Sequence, residues 1–95
     1  MNLVKSERFI SDIMKIRDAK LIAVIVGRLS RIVDGNFGDS KSVGDGVSEL
    51  RIHYGAGYRI YYTVRNREIV FLLCAGPKSD QKKDIKTAKE MAKGV

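Results

Sequence analysis

The stretch VSELRIHYGAGYRIYYTVRNREIVFLLCAGP (Val47–Pro77) decides the fold. Leu50, Ile52 and Tyr54 alternate with Glu49, Arg51 and His53, the period of a strand with one apolar and one polar face. Gly55-Ala56-Gly57 then turns the chain. Tyr58, Ile60, Tyr62 and Val64 form one face of the next strand, with Arg59, Tyr61 and Thr63 on the other. Arg65-Asn66-Arg67 is a second tight turn. Ile69 to Ala75 is apolar without interruption, as a central strand covered on both faces requires. Gly76-Pro77 ends it. The stretch is an antiparallel three-strand meander.

Helices flank the meander. Ser6 is an N-cap before Phe9, Ile10, Ile13, Met14 and Ile16, which recur at helical spacing. Asp18 caps a second helix whose expected buried stripe is Ala19, Ile22, Ala23, Val26, Leu29 and Val33, with Arg28 and Arg31 facing elsewhere. Asp34-Gly35-Asn36 closes it. A tight join at Arg17-Asp18 reads as an antiparallel helical hairpin. Residues 1–5 are a short edge strand or a loose end. Residues 34–46 hold four of the nine glycines and read as a loop that fits no nucleotide-binding pattern. After Pro77, Ser79 caps a last helix from about Asp80 to Ala92. The class is α+β: a helical hairpin on a small antiparallel sheet, then a C-terminal helix. Ninety-five residues make one domain, 1–95.

Net charge is +7, unevenly spread. Residues 1–46 carry eight Lys/Arg and six Asp/Glu, and residues 47–95 carry ten and five. The excess favours an anionic partner, against the plainer reading of charge as a solubility device. Cys74 is the single cysteine, which excludes an internal disulfide, and it stands in an apolar run as a structural thiol. One histidine and one cysteine do not furnish a zinc cluster, so no metal or other cofactor is expected. Leu21–Val26 is too short to span a bilayer, and neither a signal peptide nor a membrane partner is expected. The cytoplasm is the default location.

Arg51 and His53 share one face of their strand, and closing the hairpin brings Arg59 beside Arg51. Lys78 lies where the third strand meets the last helix. Arginines and a lysine supply donors for phosphate oxygens, and His53 is the side chain expected to titrate near neutrality. Glu49 and Asp84 offer carboxylates. That set suits RNA cleavage by the ribose 2′-OH, which needs a base, an acid and donors for the transition-state charge. The competing readings are structural: a solvated cationic sheet face, a structural histidine, and Glu49 pairing with an arginine across the sheet. Lys82, Lys83, Lys86, Lys89 and Lys93 coat the last helix, as a solvated face or a docking surface. Tyr61 is on the Arg59 face and so available to a base, whereas Tyr54, Tyr58 and Tyr62 fall in core phase.

GDSKSVGDGVSELRIHYGAGYRIYYT (Gly38–Thr63) and LLCAGPKSDQKKDIKTAKEMA (Leu72–Ala92) resemble the RelE/ParE toxin superfamily, and more narrowly its HigB-like branch of addiction module killer proteins. The resemblance covers nearly the whole chain after the first few residues. It implies a RelE-like toxin domain that cleaves mRNA on the ribosome without a metal. It also implies a cognate antitoxin, with the toxin monomeric inside a hetero-oligomeric complex. Arg59 in GYRIYY matches the arginine that stabilises the scissile phosphate. Arg51 in ELRI matches a second basic position, and Lys78 stands where RelE-type members carry a catalytic arginine. Asp84 stands where RelE has a base-stacking tyrosine, which leaves the general base open between His53 and a carboxylate. Two other outcomes share the fold: a ParE-like gyrase inhibitor, and a non-catalytic relic that only binds its antitoxin.

Overall fold

The computed structural model describes all 95 residues. The elements run β1 (Asn2–Lys5), α1 (Glu7–Met14), α2 (Ala19–Val33), β2 (Ser40–Gly44), β3 (Val47–Ile52), β4 (Tyr58–Arg65), β5 (Ile69–Pro77), a 3-10 turn (Lys78–Asp80) and α3 (Gln81–Ala92). The strands form one mixed sheet in the order β1-β5-β4-β3-β2, with β1 parallel to β5 and the other pairs antiparallel.

The meander is present with the expected faces, but the sheet has five strands, not three. Residues 1–5 resolve to an edge strand. The second addition is β2, inside the segment read as loop. Asp45-Gly46 joins β2 to β3 with φ of 55° and 76°, the two-residue turn that Asp-Gly favours because both positions need positive φ. That signal was legible, but SKSVG lacks the apolar alternation that marks a strand.

The capping residues act as read. Ser6 Oγ accepts from Phe9 N–H at 2.9 Å, and Asp18 Oδ1 from Lys20 N–H at 2.9 Å. One sheet face packs Leu50, Ile52, Tyr58, Ile60, Tyr62, Val70 and Leu72 against Phe9 of α1 and Ile25 and Ile32 of α2. The stripe on α2 is rotated from expectation. Ile25 and Ile32 are buried, whereas Val26 and Val33 are exposed. The helix is apolar on most sides, so its own period does not select a face. What unites α1 and α2 is the sheet. An apolar groove of about 230 Å³ runs between them where a tightly paired hairpin would be closed.

The opposite face packs Val47, Tyr61, Leu73 and Cys74 under Ala88 and Ala92 of α3. A bulge puts Leu73 and Cys74 both on this side, since Tyr61 faces Cys74 but Tyr62 faces Leu72. Arg65 Nη2 donates to Ala92 O at 3.2 Å and closes the C-terminus of α3. The N-terminal end is not capped by Ser79. It enters through the 3-10 turn, with no side-chain cap. No helix is long and apolar enough to cross a membrane.

Candidate anion-binding site

Arg51 and Arg59 are directly opposed on β3 and β4. Two like charges in that register repel, so the pair needs a counter-charge. Glu49 supplies it. Its Oε1 lies 3.6 Å from Arg51 Nε and 3.8 Å from Arg59 Nε, and its Oε2 accepts from Gln81 Nε2 at 2.9 Å. One carboxylate therefore serves two guanidinium groups. Neither Arg51 Nε nor Arg59 Nε has a hydrogen-bond partner, and both atoms are buried. A buried donor left unmet costs roughly 1–3 kcal/mol. The cluster keeps two unmet donors in a partly desolvated site, which is what an anion would complete.

Lys78 joins from the end of β5. Its N–H donates to Gly57 O at 3.1 Å. Gly57 has φ of 96°, and a Cβ there would sit 3.4 Å from Lys78 Cβ and 3.5 Å from Arg59 Nη1. These are ordinary contact distances, so it is the positive φ that calls for glycine here, at the turn that Lys78 and the Arg59 guanidinium flank.

His53 stands just beyond β3, largely exposed, with Nε2 hydrogen-bonded to Asp39 Oδ2. Asp39 also faces Arg51 Nε at 3.7 Å. The His53 hydrogen bond, then the Arg51 charge, holds the Asp39 carboxyl below the usual carboxylate range. Asp39 is placed by its backbone: its carbonyl accepts from Arg51 N–H at 2.9 Å. Arg28 clamps the same corner, donating to Arg51 O at 2.7 Å and to Phe37 O and Asp39 O at 3.4 Å. From the sequence, Arg28 was expected only to lie off the buried stripe of α2. His53, Asp39, Arg51, Glu49 and Arg59 thus form one polar chain along the end of β3 and β4, and Lys78 adjoins it at Gly57 through its backbone.

The phage-derived Gp49-like protein family (DUF891) matches residues 8–93. The chain belongs to this family. It is also 50% identical over 84 residues to an uncharacterised protein of Haemophilus influenzae, covering 88% of this chain and 85% of the relative. The Gp49-like family is a RelE- and addiction-module-like toxin family, which ties the fold to a toxin–antitoxin setting with an antitoxin as partner.

Not every expected site residue of this Gp49-like chain reaches the cluster. Tyr61 shares the Arg59 face as its phase predicts, but α3 lies over it and the ring is fully buried. It cannot stack on a base. Its phenol is pushed up by burial and then by Glu49. Asp84 is 3% exposed and turns away from the arginines, over Gly76. Gln81 and Asp84 are one turn apart on the same face of α3; Gln81, nearer the start, reaches Glu49 on β3, and Asp84 lies over Gly76 of β5. Lys82, Lys83 and Lys86 are exposed, whereas Lys89 pairs with Asp45 at 3.6 Å. Burial pushes the Cys74 thiol up to about 12, the state of a structural thiol and not of a nucleophile.

Proposed function

We propose that the chain is the toxin of a type II toxin–antitoxin system and acts as a ribosome-dependent, metal-free endoribonuclease of the HigB-like branch. The observation that supports this reading most is the opposed Arg51–Arg59 pair with its two buried, unmet Nε donors around one carboxylate.

A scissile phosphate fits that deficit. The 2′-oxygen forms a bond to phosphorus as the bond to the 5′-oxygen breaks, leaving a 2′,3′-cyclic phosphate and a 5′-hydroxyl. Arg59 and Lys78 stabilise the charge that grows on the non-bridging oxygens, with Arg51 beside them. The proton leaving the 2′-OH goes to His53, whose ring Asp39 holds, and the departing 5′-oxygen takes a proton from water to become the 5′-hydroxyl. Side chains thus supply the base and the charge stabilisation that the step needs without a bound ion. Lys82, Lys83 and Lys86 give a cationic face for the ribosome or for an acidic antitoxin segment. A gyrase inhibitor would need no such cluster.

Purified protein added to a translating extract should cut mRNA, and Arg59→Ala should abolish the cuts. Intact mRNA at a dose that stops cell growth would overturn the reading.

A further inference from the structure

Arg28 stands in the middle of α2, and every hydrogen bond of its guanidinium goes to a backbone carbonyl. Nη1 donates to Arg51 O at 2.7 Å, and Nη2 donates to Phe37 O and Asp39 O at 3.4 Å. The acceptors lie on two segments, the end of β3 and the residues that lead from α2 to β2. One planar fork joins them.

The strand ladder ends at this point. β2 begins at Ser40, which pairs with Leu50. One residue further out, Arg51 N–H still donates to Asp39 O at 2.9 Å. The return bond from Asp39 N–H to Arg51 O is not made, and Arg28 Nη1 fills that acceptor. The segment before Asp39 is fitted to the fork. Phe37 stacks on Tyr62 with ring centroids 5.2 Å apart, and Asn36 Oδ1 accepts from Gly38 N–H at 3.0 Å. Gly38 has φ of 62°, and a Cβ there would lie 3.1 Å from Arg28 Nη2, a tight approach that glycine avoids.

Arg28 makes no hydrogen bond to a side chain of the cluster. What it fixes is the backbone of Asp39. The Asp39 carboxylate meets His53 Nε2 through Oδ2 and lies 3.7 Å from Arg51 Nε through Oδ1. The charged and titratable groups that face it are His53, Arg51 and Arg28. The His53 hydrogen bond leads in holding its pKa down, and the Arg28 charge contributes least. Arg28 therefore acts on Asp39 through placement more than through charge.

We propose that Arg28 is a positioning residue for proton transfer: its fork sets Asp39 against Arg51, and Asp39 in turn sets the His53 ring. That this ring takes the 2′-OH proton rests on the nuclease reading above. A residue of α2 that touches no substrate thereby governs the chemical step. Lysine in its place keeps the charge, but one nitrogen on a flexible stem does not reproduce a fork across three carbonyls.

Arg28→Lys separates placement from charge. In 13C spectra of the side-chain carboxyl, the Asp39 titration midpoint should rise toward the usual carboxylate range although the local charge is kept. Single-turnover cleavage on ribosomes should slow by about 10²-fold, the scale of a small misplacement of a reacting group, with ribosome affinity unchanged. The double variant Arg28→Lys, Asp39→Asn should cut no more slowly than Asp39→Asn alone, because both changes act through one group. If Arg28→Lys does not fold, Gly38→Ala, which puts a Cβ against Nη2, is read by the same measurements. An unmoved Asp39 midpoint, losses that multiply in the double variant, or ribosome affinity falling in step with cleavage would overturn the proposal. Intact mRNA from the wild type removes the nuclease reading, and the Asp39 titration then decides whether Arg28 places the pair. Cut mRNA with an unmoved titration keeps the nuclease and removes the role of Arg28.

Discussion

Gln81 donates its side-chain amide to Glu49 Oε2 at 2.9 Å, and this bond ties the first turn of α3 to β3. It holds the carboxylate with its other oxygen toward Arg51 and Arg59. α3 is therefore both a lid on the Tyr61 side of the sheet and a strut for the cationic cluster.

Removing the shared carboxylate should expose this dependence. Glu49→Ala leaves Arg59 without its counter-charge and Arg51 with Asp39 alone. Loss of one partner from a buried ion pair costs about 3–5 kcal/mol. Urea unfolding should show a loss near the lower end, since Arg51 is partly exposed and can turn to solvent. A change below about 1 kcal/mol, the range of surface pairs, would mean that the cluster is held by packing alone.

The positive charges should divide into two classes. Arg59→Ala should reduce cleavage by about 10²-fold or more, the scale of a lost transition-state donor, while ribosome binding persists. Lys83→Ala or Lys86→Ala should weaken binding slightly and lower its salt dependence, with little effect on the chemical step. Sedimentation with ribosomes at several salt concentrations, beside single-turnover cleavage, separates the two. Equal behaviour would refute the division.

Acid should act through Asp39. Its folded-state pKa is depressed, chiefly by the His53 hydrogen bond. A depressed carboxyl contributes stability that is present above its unfolded value, about pH 4, and is lost as pH falls through the folded value. Asp39→Asn should therefore flatten part of the stability loss below about pH 4. Thermal unfolding from pH 7 downward reads this directly. Parallel curves for the two proteins would exclude the contribution.

Asp84 should behave with the opposite sign. Its pKa is raised, so the ionised form costs stability above the usual carboxylate range. Asp84→Asn should raise the melting temperature at pH 7, and the gain should shrink as pH falls toward 4. Gly76→Ala should destabilise by roughly 1–3 kcal/mol, as overpacking does, because the new Cβ meets Asp84 Oδ2. Shortening the carboxylate in Asp84→Ala should relieve most of that cost. A strictly additive double mutant would show that the two positions do not share the space.

The sequence by itself determined the meander, its faces and the approach of Arg51 to Arg59. Strand alternation has a period of two, and the Gly55–Gly57 turn fixes which residues oppose, so both follow from local chain geometry. The caps at Ser6 and Asp18 were legible for the same reason: a capping bond spans three residues. The continuous run Ile69–Ala75 marked the strand that β1 and β4 enclose. Only the tertiary structure decided what covers each face. α2 is apolar on most sides, so the sheet chose Ile25 and Ile32 over Val26 and Val33. Tyr61 has the phase of an open-face residue, and α3, arriving from later in the chain, buries it. Arg28 reads as a surface cation and becomes the clamp that holds Asp39 to Arg51. Gln81 and Asp84 differ by three positions, yet one reaches Glu49 on β3 and the other lies over Gly76 of β5. That division depends on how α3 is rotated about its axis, which is fixed by Ala88 and Ala92 packing against distant strands and not by any local rule.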